Sequence, residues 1–391
     1  MHFALTDDQR AIQDAARAFA EAELAPHSAH WDEEKIFPVE TMKAAAEMGF
    51  CGIYAGEEHG GMALGRVEAA VIFEELARGD VATAAFISIH NMSTWMIDKF
   101  GSDDLRARYV PSLVAMERPS SSEAIGPQSC IASYCLTEPG SGSDAAAMRT
   151  TAVRDGDDWV LNGSKAFISG AGVSDVYVVM VRTGGDGAKG ISAFVVDKGT
   201  PGLSFGANEK KMGWNAQPTA VVSFDDCRVP AANLLGVEGD GFRYAMAGLD
   251  GGRLNIAACS IGGARLALET AQDYVASRKQ FGKPIGDFQN TQFKLADMAT
   301  DLDAARLMVQ RGAWAIDTGH PEKTKWCAMA KRLATDSCFQ IADAALQLHG
   351  GYGYLKDYPL ERILRDLRVH RILEGTNEIM RVITARELAR G

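Results

Sequence analysis

The stretch that decides the fold is Tyr134-Cys-Leu-Thr-Glu-Pro-Gly-Ser-Gly-Ser-Asp144. A short apolar lead-in runs into a turn enforced by Pro139, Gly140 and Gly142, and hydroxyls and a carboxylate follow it. Glycines let a ligand approach the backbone closely, and exposed N–H and O–H donors suit phosphates and ring heteroatoms. The same composition is typical of a solvated loop, so the stretch alone leaves both interpretations open.

Three further unusual segments lie far downstream. They read Arg278-Lys-Gln-Phe-Gly-Lys-Pro-Ile285, Gln347-Leu-His-Gly-Gly-Tyr-Gly-Tyr354 and Arg371-Ile-Leu-Glu-Gly-Thr-Asn-Glu-Ile-Met-Arg381. In this order and at these separations, the four segments resemble the acyl-CoA dehydrogenase flavoproteins from end to end. Two more stretches, Lys165-Ala-Phe-Ile-Ser-Gly-Ala-Gly172 and Gly351-Tyr-Gly-Tyr-Leu-Lys-Asp-Tyr358, are similar to family members that act on short branched acyl chains.

Composition limits the class of protein. With 391 residues, 47% of them apolar, the chain predicts two or three domains, and its net charge of −11 argues against a duplex-binding surface. The longest uncharged stretch, 81–97, contains His90 and Asn91 and is too short and polar to span a bilayer, which favours a buried helix. The first residues show no signal or transit peptide, so we expect a bacterial cytoplasm or, after processing in a eukaryote, the mitochondrial matrix.

Cysteine and histidine patterns give no sign of a disulfide or metal framework. The seven cysteines are odd in number and irregularly spaced, which favours reduced thiols. His27 and His30 stand beside three acidic residues at 32–34 and could bind a metal. Because no such cluster recurs, a solvated helix end is the favoured interpretation, and we expect no metal.

The order of the patterns predicts an α+β fold in three parts, as the resemblance also implies. Residues 1–133 indicate an N-terminal helical domain that starts with a capping box of Thr6 and Gln9. Residues 134–240 indicate a middle β domain, a small barrel or sandwich, and residues 241–391 a C-terminal four-helix bundle. Long helices are predicted at 242–281, 291–318, 322–348 and 378–388. The segment Pro119–Cys130 is longer and richer in Pro and Ser than the family's link and indicates a surface insertion.

Gly185-Asp-Gly-Ala-Lys-Gly190 matches the dinucleotide-binding fingerprint and follows a predicted strand. It leads into a second strand at 191–196 and not into a helix, whose N-terminus would hold a pyrophosphate. We therefore expect a hairpin loop here.

Glu374 is the candidate catalytic base. It follows the apolar pair Ile372-Leu373 and precedes Gly375, so its carboxylate could face a dry pocket, where burial would raise its pKa toward neutrality. On the residues alone, a helix-capping glutamate is the alternative. The resemblance implies that Glu374 is the base, and that Gly252 stands at the other position where some members carry a catalytic glutamate.

Oxidation next to a thioester needs a hydride acceptor that no side chain supplies, so a flavin or nicotinamide is required. The resemblance implies FAD. The residues it assigns to the cofactor are Tyr134, Leu136, Thr137, Gly142, Ser143, Phe167, Ile168, Ser169, Arg278, Gln280, Phe281, Phe288, Gln289, Gln347, Leu348, His349, Gly350, Gly351, Thr376, Asn377 and Glu378. The part at 278–289 is implied to reach the adenosine end of FAD in a neighbouring subunit. Without the resemblance, Gly350 and Gly351 would only end a helix, and Phe281 and Phe288 could belong to the hydrophobic core.

For the CoA substrate, the resemblance implies contacts from Ser143, Asp250, Gly251, Gly252, Arg253 and Arg386. The implied activity is α,β-dehydrogenation of a short branched-chain acyl-CoA, with isobutyryl-CoA converted to methacrylyl-CoA in valine catabolism. Electrons would pass to electron-transfer flavoprotein, and the assembly would be a homotetramer. Leu373 replaces a tyrosine found in many members, and the smaller side chain could admit an α-methyl group.

Other activities stay open at this point. 2-Methylbutyryl-CoA, butyryl-CoA and propionyl-CoA are alternative substrates, because one methylene discriminates by only ~1–3 kcal/mol. An oxidase that uses molecular oxygen is a second class. A non-catalytic flavin-binding scaffold is a third, although Glu374 and the acidic balance of the chain argue against it.

Overall fold

A computed structural model describes residues 4–117 and 130–389. The first of these ranges is helical, as predicted. Its helices are α1 (Asp7–Phe19), α2 (Ser28–Glu34), α3 (Val39–Glu47), α4 (Arg66–Gly79), α5 (Val81–Phe100) and α6 (Asp103–Ala115). The capping box is confirmed: Thr6 Oγ1 accepts from the Gln9 main-chain N–H at 3.2 Å, and Gln9 Oε1 accepts from that of Thr6 at 3.1 Å. Residues 119–129 of the predicted insertion lie outside the described residues.

The middle of the chain forms a single seven-stranded sheet. Its strands are β1 (Ala132–Cys135), β2 (Thr151–Asp155), β3 (Asp158–Ser169), β4 (Val176–Arg182), β5 (Ile191–Asp197), β6 (Leu203–Phe205) and β7 (Thr219–Pro230). The order is β1-β4-β2-β3-β7-β6, and β5 pairs with β4. Strand β3 is continuous, although its pairing with β7 shifts register between Lys165 and Ile168. One face of the sheet packs against helices α5, α6 and α7 (Gly241–Ser277). A separate hydrophobic core lies on its other face.

The fingerprint-like segment at 185–190 joins β4 to β5. These strands are antiparallel, and Arg182 is paired with Ile191 across the loop. Only a single short turn, Ala188–Gly190, interrupts the connection. The prediction of a hairpin loop is therefore confirmed, because no helix N-terminus follows the glycines.

The last part is a helical bundle with a small hairpin. Its elements are α7 (Gly241–Ser277), β8 (Lys279–Gln280), β9 (Lys283–Pro284), α8 (Gln289–Asp317), α9 (Lys323–His349), α10 (Leu360–His370) and α11 (Asn377–Leu388). The predicted helix 242–281 was too long, because α7 ends at Ser277 and Arg278 is already extended. The chain then turns back at Phe281 and Gly282, whose φ angles are +52° and +84°. Helix α10 was not predicted. Helix α7 approaches α4 so closely that a Cβ at Gly262 would lie 2.2 Å from the Glu74 carbonyl oxygen.

Three predictions about side chains and membranes can be compared with this fold. All seven cysteines are buried and none is in a disulfide, which agrees with reduced thiols. His27 and His30 are exposed near the start of α2, as expected for a solvated helix end. Within residues 4–117 and 130–389, no helix is long and apolar enough to cross a membrane.

Candidate active site

A buried ion pair between Lys165 and Glu138 fixes the turn after β1. Glu138 is 7% exposed, and its carboxylate accepts from Lys165 Nζ at 2.7 Å and from the main-chain N–H groups of Arg149 (2.6 Å) and Thr150 (2.9 Å). Burial opposes ionisation of Glu138, yet the Lys165 charge lowers its pKa. Lys165 Nζ also donates to the Leu136 carbonyl at 3.1 Å, so the pair fixes the backbone of the turn.

The upper side of this turn is open. A Cβ placed at Gly140 or Gly142 would meet nothing within 4 Å, and Gly142 and Ser143 are exposed. The Ala166 N–H donates to the Thr137 carbonyl at 2.8 Å, which joins the turn to β3. An unobstructed glycine backbone beside exposed hydroxyls fits a ligand that carries hydrogen-bonding heteroatoms.

Phe167 extends this open surface along β3. Its φ is +59°, a conformation that L-residues rarely adopt, and its side chain is 69% exposed. Strain of this kind is concentrated at functional sites. Ile168 points into the sheet core at 3% exposure, and the Ser169 carbonyl accepts from Ser133 Oγ at 2.6 Å. The predicted cofactor residues of the turn and of β3 therefore meet at a single surface, where the side chain of Ile168 is turned away.

Glu374 lies in a strained turn between α10 and α11. Its φ is +57° and that of Gly375 is +84°, and the Asn377 N–H donates to the Arg371 carbonyl at 3.0 Å to close the turn. The Glu374 Oε2 atom is buried and makes no hydrogen bond within the described part of the chain. Burial raises the pKa of Glu374 to about 7, although Arg253 and Lys331 oppose this shift.

The carboxylate of Glu374 faces helix α7 at Gly252. A Cβ at Gly252 would lie 2.5 Å from Glu374 Oε2, so only glycine leaves this approach open. Gly252, the other position that the resemblance implies for a base, is thus directly opposite Glu374. Of these two facing positions, only 374 carries an acid.

Asp250 and Arg253 stand on either side of this glycine. Arg253 Nη1 donates to Asp250 Oδ1 at 2.6 Å, and Arg253 Nε donates to the Glu374 carbonyl at 3.3 Å. Thr324 Oγ1 donates to Asp250 Oδ2 at 2.8 Å. The predicted substrate residues therefore support the backbone of Glu374. Within residues 4–117 and 130–389, the main-chain N–H of Glu374 donates no hydrogen bond.

Tyr134 connects the β1 turn with the base. Its hydroxyl is buried and has no partner in the described ranges. Burial, and then the nearby Glu374, raise its pKa well above the usual value. Two buried oxygen atoms without partners, one on Tyr134 and one on Glu374, thus occupy the same region between the sheet and α7.

A second site lies at the end of α9. A cavity of about 470 Å³ brings the predicted residues Arg278 and Gln280 next to the predicted stretch 347–351. His349 stacks on Tyr274 at a centroid distance of 4.0 Å and has Nδ1 at 2.9 Å from the Ala345 carbonyl, while its Nε2 is buried without a partner in the described chain. Phe281 is 93% exposed at the tip of the β8–β9 hairpin, with its ring 6.1 Å from that of Phe288.

The last four predicted residues lie on helix α11 or at its N-cap. Thr376 caps α11 by accepting from the Ile379 N–H at 3.3 Å. Asn377 is 2% exposed, and its amide bonds to Lys331, Thr335 and Asp336 inside the protein, while Glu378 is exposed. Arg386 is exposed nine residues after Asn377, about 14 Å along α11. The structure does not bring Arg386 to Glu374, and it gives Asn377 an internal role.

Sequence reasoning did not identify three charged side chains near the site. Lys165 holds the β1 turn, and Lys331 contacts the turn of Glu374. Arg66 is 7% exposed and stacks on the Tyr54 ring at 3.7 Å, next to Gly251. Their partners are distant in sequence and follow no period, so no local pattern could have indicated these contacts.

The chain is similar to known proteins along most of its length. Three family models match: "Acyl-CoA dehydrogenase, N-terminal domain" at residues 6–117, "middle domain" at 133–227 and "C-terminal domain" at 239–389. The mitochondrial isobutyryl-CoA dehydrogenase of Dictyostelium discoideum is 54% identical over 99% of this chain and 90% of its own length.

Two solved structures have the same fold. A chain solved in work on the electron transferring flavoprotein of Acidaminococcus fermentans and flavin-based electron bifurcation has a TM-score of 0.94 and 41% identity, with 100% of both chains covered. Butyryl-CoA dehydrogenase from Megasphaera elsdenii has a TM-score of 0.93 and 37% identity, also with 100% of both chains covered.

Proposed function

The chain belongs to the acyl-CoA dehydrogenase family, and from this premise we propose that it oxidises isobutyryl-CoA to methacrylyl-CoA with a bound FAD. The observation that carries the proposal is the buried carboxylate oxygen of Glu374, which faces Gly252 and has no partner in the described residues. The reaction removes two hydrogens from adjacent carbons. One leaves the α-carbon as a proton and the other leaves the β-carbon as a hydride.

Glu374 takes the α-proton. A general base works best when its pKa is close to the working pH, and burial brings the pKa of Glu374 to about 7. Because Oε2 is without a partner in the described residues, a bound substrate has no hydrogen bond to displace before the carboxylate can accept its proton. A thioester seated in the pocket also excludes water, which strengthens electrostatic interactions at the reacting carbon.

The main-chain N–H of Glu374 supplies a donor for the thioester oxygen. Negative charge grows on that oxygen as the α-proton leaves, and a fixed N–H lowers the energy of this charge. Arg253 holds the carbonyl of the same residue at 3.3 Å, which limits rotation of the turn. The base and the donor are thus two parts of one residue, and helix α7 orients both.

The residues around the β1 turn fit a flavin. The open glycine backbone at 140 and 142, the exposed Phe167 and the orphaned Tyr134 hydroxyl are suited to a flat heterocycle. The cavity at 278–280 and 347–351 fits the charged and aromatic end of a dinucleotide, with Arg278 suited to a pyrophosphate. FAD, when bound, supplies the acceptor for the β-hydride.

Leu373 accounts for a branched substrate. It is half-buried and packs against the helical core next to Glu374. A leucine in place of a tyrosine leaves room for an α-methyl group beside the α-carbon. The expected discrimination between isobutyryl-CoA and butyryl-CoA is ~1–3 kcal/mol.

The proposal includes partners. We place electron-transfer flavoprotein as the electron acceptor and a homotetramer as the assembly. The hairpin with its exposed Phe281 is suited to reach the cofactor of a neighbouring subunit, which is consistent with a symmetric oligomer. The protein would act in valine catabolism, in a bacterial cytoplasm or a mitochondrial matrix. A FAD-loaded monomer in light scattering would contradict the shared site.

An anaerobic titration of the FAD-loaded protein tests the function. Isobutyryl-CoA, 2-methylbutyryl-CoA and butyryl-CoA are added separately, and the flavin absorbance is followed. We expect the fastest bleaching with isobutyryl-CoA. Faster bleaching with a straight chain would keep the dehydrogenase and discard the substrate.

The same preparation distinguishes the other classes. Peroxide formation in air at the rate of substrate turnover, without an added electron carrier, would indicate an oxidase. A protein that binds FAD but is bleached by no short acyl-CoA would be a flavin-binding scaffold.

A further inference from the structure

Lys331 lies beneath the turn that carries Glu374, and the reaction described above does not use it. Its side chain is 0% exposed on α9. Its Nζ donates to the Gly375 carbonyl at 2.8 Å and to Asn377 Oδ1 at 2.9 Å. A buried ammonium therefore contacts the residue immediately after the base.

Neighbouring residues of α9 hold the same segment farther along. Asn377 Nδ2 donates to Thr335 Oγ1 and to Asp336 Oδ1, both at 2.9 Å. Arg371 Nε donates to the same Asp336 oxygen at 2.8 Å. Helix α9 thus contacts the segment 371–377 at its start, at its middle through Lys331, and at its end.

The segment needs this support because its backbone is strained. Glu374 adopts the left-handed conformation, which is strained for a non-glycine residue and persists only when the surroundings enforce it. Without the Lys331 contact, the Gly375 carbonyl would lose a charged donor in a buried place. The turn could then relax, and the carboxylate would leave Gly252.

The charge of Lys331 is not neutralised by a direct ion pair within residues 4–117 and 130–389. The charged groups that influence it are Glu374 before α11, Glu378 on α11, Arg253 on α7 and Asp336 on α9. On α10 it acts on His370, whose pKa it lowers further in addition to the effect of burial. Burial lowers the pKa of Lys331 itself to about 7, and Glu374 opposes that shift.

We propose that Lys331 is a positioning residue for the base: it holds the Glu374–Gly375 turn with the carboxylate toward Gly252, and its positive charge favours the ionised carboxylate. This inference rests on the proposed function, because it assumes that Glu374 removes a proton. Two separable effects are therefore expected, one on the position of the Glu374 carboxylate and one on its pKa.

Variants of α9 separate the two effects. Lys331→Gln and Lys331→Met remove the charge. Thr335→Val keeps the charge and removes the contacts of Thr335 Oγ1 to Asn377 and to the main-chain carbonyl of Lys331. Lys211 is the matched control, because its Nζ also donates to a main-chain carbonyl, that of Gln217 at 2.5 Å, and to Thr219 Oγ1 at 2.8 Å, far from the base in sequence. Lys211→Gln should leave the reduction kinetics unchanged.

The measurement is the rate of flavin reduction by isobutyryl-CoA in single turnovers from pH 5.5 to 9. Loss of the Lys331 charge raises the pKa of Glu374, so the acid limb of the profile should move to higher pH by about one unit or more. The maximal rate should fall about 10²-fold from misplacement of the base. Thr335→Val should lower the rate without moving the limb.

Binding of a redox-inert thioether analogue of the substrate gives a readout that does not depend on turnover. Calorimetry in buffers of different ionisation enthalpy reports the protons exchanged on binding. In the two Lys331 variants, the pH at which a proton is exchanged should rise together with the acid limb.

The outcomes decide between the inferences. If both Lys331 variants keep the wild-type acid limb and rate, Lys331 is merely structural and the inference is overturned, even if both are less stable. If Glu374→Gln is reduced at the wild-type rate, the base assignment fails first, and the proposed mechanism fails with it. If only one Lys331 variant folds, it still gives the profile, and Thr335→Val tests the geometric effect independently.

Discussion

Two glutamates with buried carboxylate oxygens have opposite environments in this protein. Glu138, in the turn after β1, accepts three hydrogen bonds, one of them from Lys165 at 2.7 Å. Glu374, in the turn before α11, keeps one buried oxygen with no partner in the described residues. Burial opposes ionisation of Glu138, but Lys165 and the hydrogen bonds from Thr150 and Arg149 together outweigh it and lower the pKa. Burial raises the pKa of Glu374 to about 7.

The difference shows that the donors around a carboxylate, and not burial alone, separate a structural glutamate from a candidate base. The two lysines follow the same logic. Lys165 binds its glutamate directly, whereas Lys331 binds the neighbouring carbonyl and an amide oxygen. The charge of Lys331 therefore acts on Glu374 without a direct hydrogen bond, and the carboxylate stays available to the substrate.

The largest effect is expected for Glu374→Gln. The amide keeps the size of the side chain but cannot accept the α-proton, so flavin reduction should slow by about 10³-fold. Stopped-flow absorbance under anaerobic conditions measures the rate. The matched control is Glu47→Gln, an exposed glutamate at the end of α3, which should stay near the wild-type rate.

Lys165→Met tests the other side of the comparison. Breaking a buried ion pair leaves the Glu138 carboxylate without its cation and should lower the free energy of unfolding by about 3–5 kcal/mol. Urea denaturation of the FAD-loaded protein provides the measurement. A loss below about 1 kcal/mol would mean that Glu138 does not depend on this pair.

The pH dependence of stability should have opposite signs at the two glutamates. The folded-state pKa of Glu374, about 7, is above the usual 4.5, so its contribution is fully present below about pH 4.5 and is lost as the pH rises through 7. Glu374→Gln should therefore gain about 3 kcal/mol relative to wild type between pH 4.5 and 8.

The contribution of Glu138 is present above its unfolded-state pKa and is lost as the pH falls through its lowered folded-state value. Unfolding curves of wild type, Glu374→Gln and Glu138→Gln at several pH values test both signs. An equal pH dependence for the two variants would contradict the distinction between the glutamates.

Gly252→Ala perturbs the free carboxylate without changing any charge. Its Cβ would lie 2.5 Å from Glu374 Oε2, so the carboxylate must move and the rate of flavin reduction should fall about 10²-fold. Gly248→Ala, one turn earlier on α7, meets the flexible Met96 sulfur at 3.3 Å and serves as the control. Equal rates in the two variants would show that the approach of Glu374 to α7 is unimportant.

The smallest effect is expected for Leu373→Tyr, next to the base. The larger side chain should reduce the ratio of kcat/KM for isobutyryl-CoA to that for butyryl-CoA by about tenfold. Steady-state kinetics with both substrates measures it. An unchanged ratio would remove Leu373 from the account of specificity.

The sequence predicted those parts of the fold that depend on local patterns. The three-part α+β order, the capping box at Thr6 and the hairpin loop at 185–190 all follow from turn chemistry and periodicity. The end of α7 was misplaced by four residues, because the chain becomes extended at Arg278, where no Gly or Pro marks a helix end. Helix α10 was missed although its buried residues Leu360, Ile363 and Leu367 recur at helical spacing.

The site was predictable to the level of motifs and no further. The motif predicted Glu374 as the base. The structure adds that its Oε2 atom faces Gly252 and has no hydrogen-bond partner in the described residues. The contacts from Lys165 to Glu138 and from Lys331 to Gly375 join residues 27 and 44 positions apart. Such contacts depend on tertiary packing, so neither a period nor a spacing predicts them.

The central claim is that Glu374, kept free of partners, removes the α-proton with a pKa near neutrality. The most direct test is the single-turnover rate of flavin reduction against pH, with isobutyryl-CoA and with its α-deuterated form. We predict an acid limb near pH 7 and a slower reaction of the deuterated substrate. An acid limb near pH 4.5, or equal rates for the two substrates at every pH, would contradict the claim.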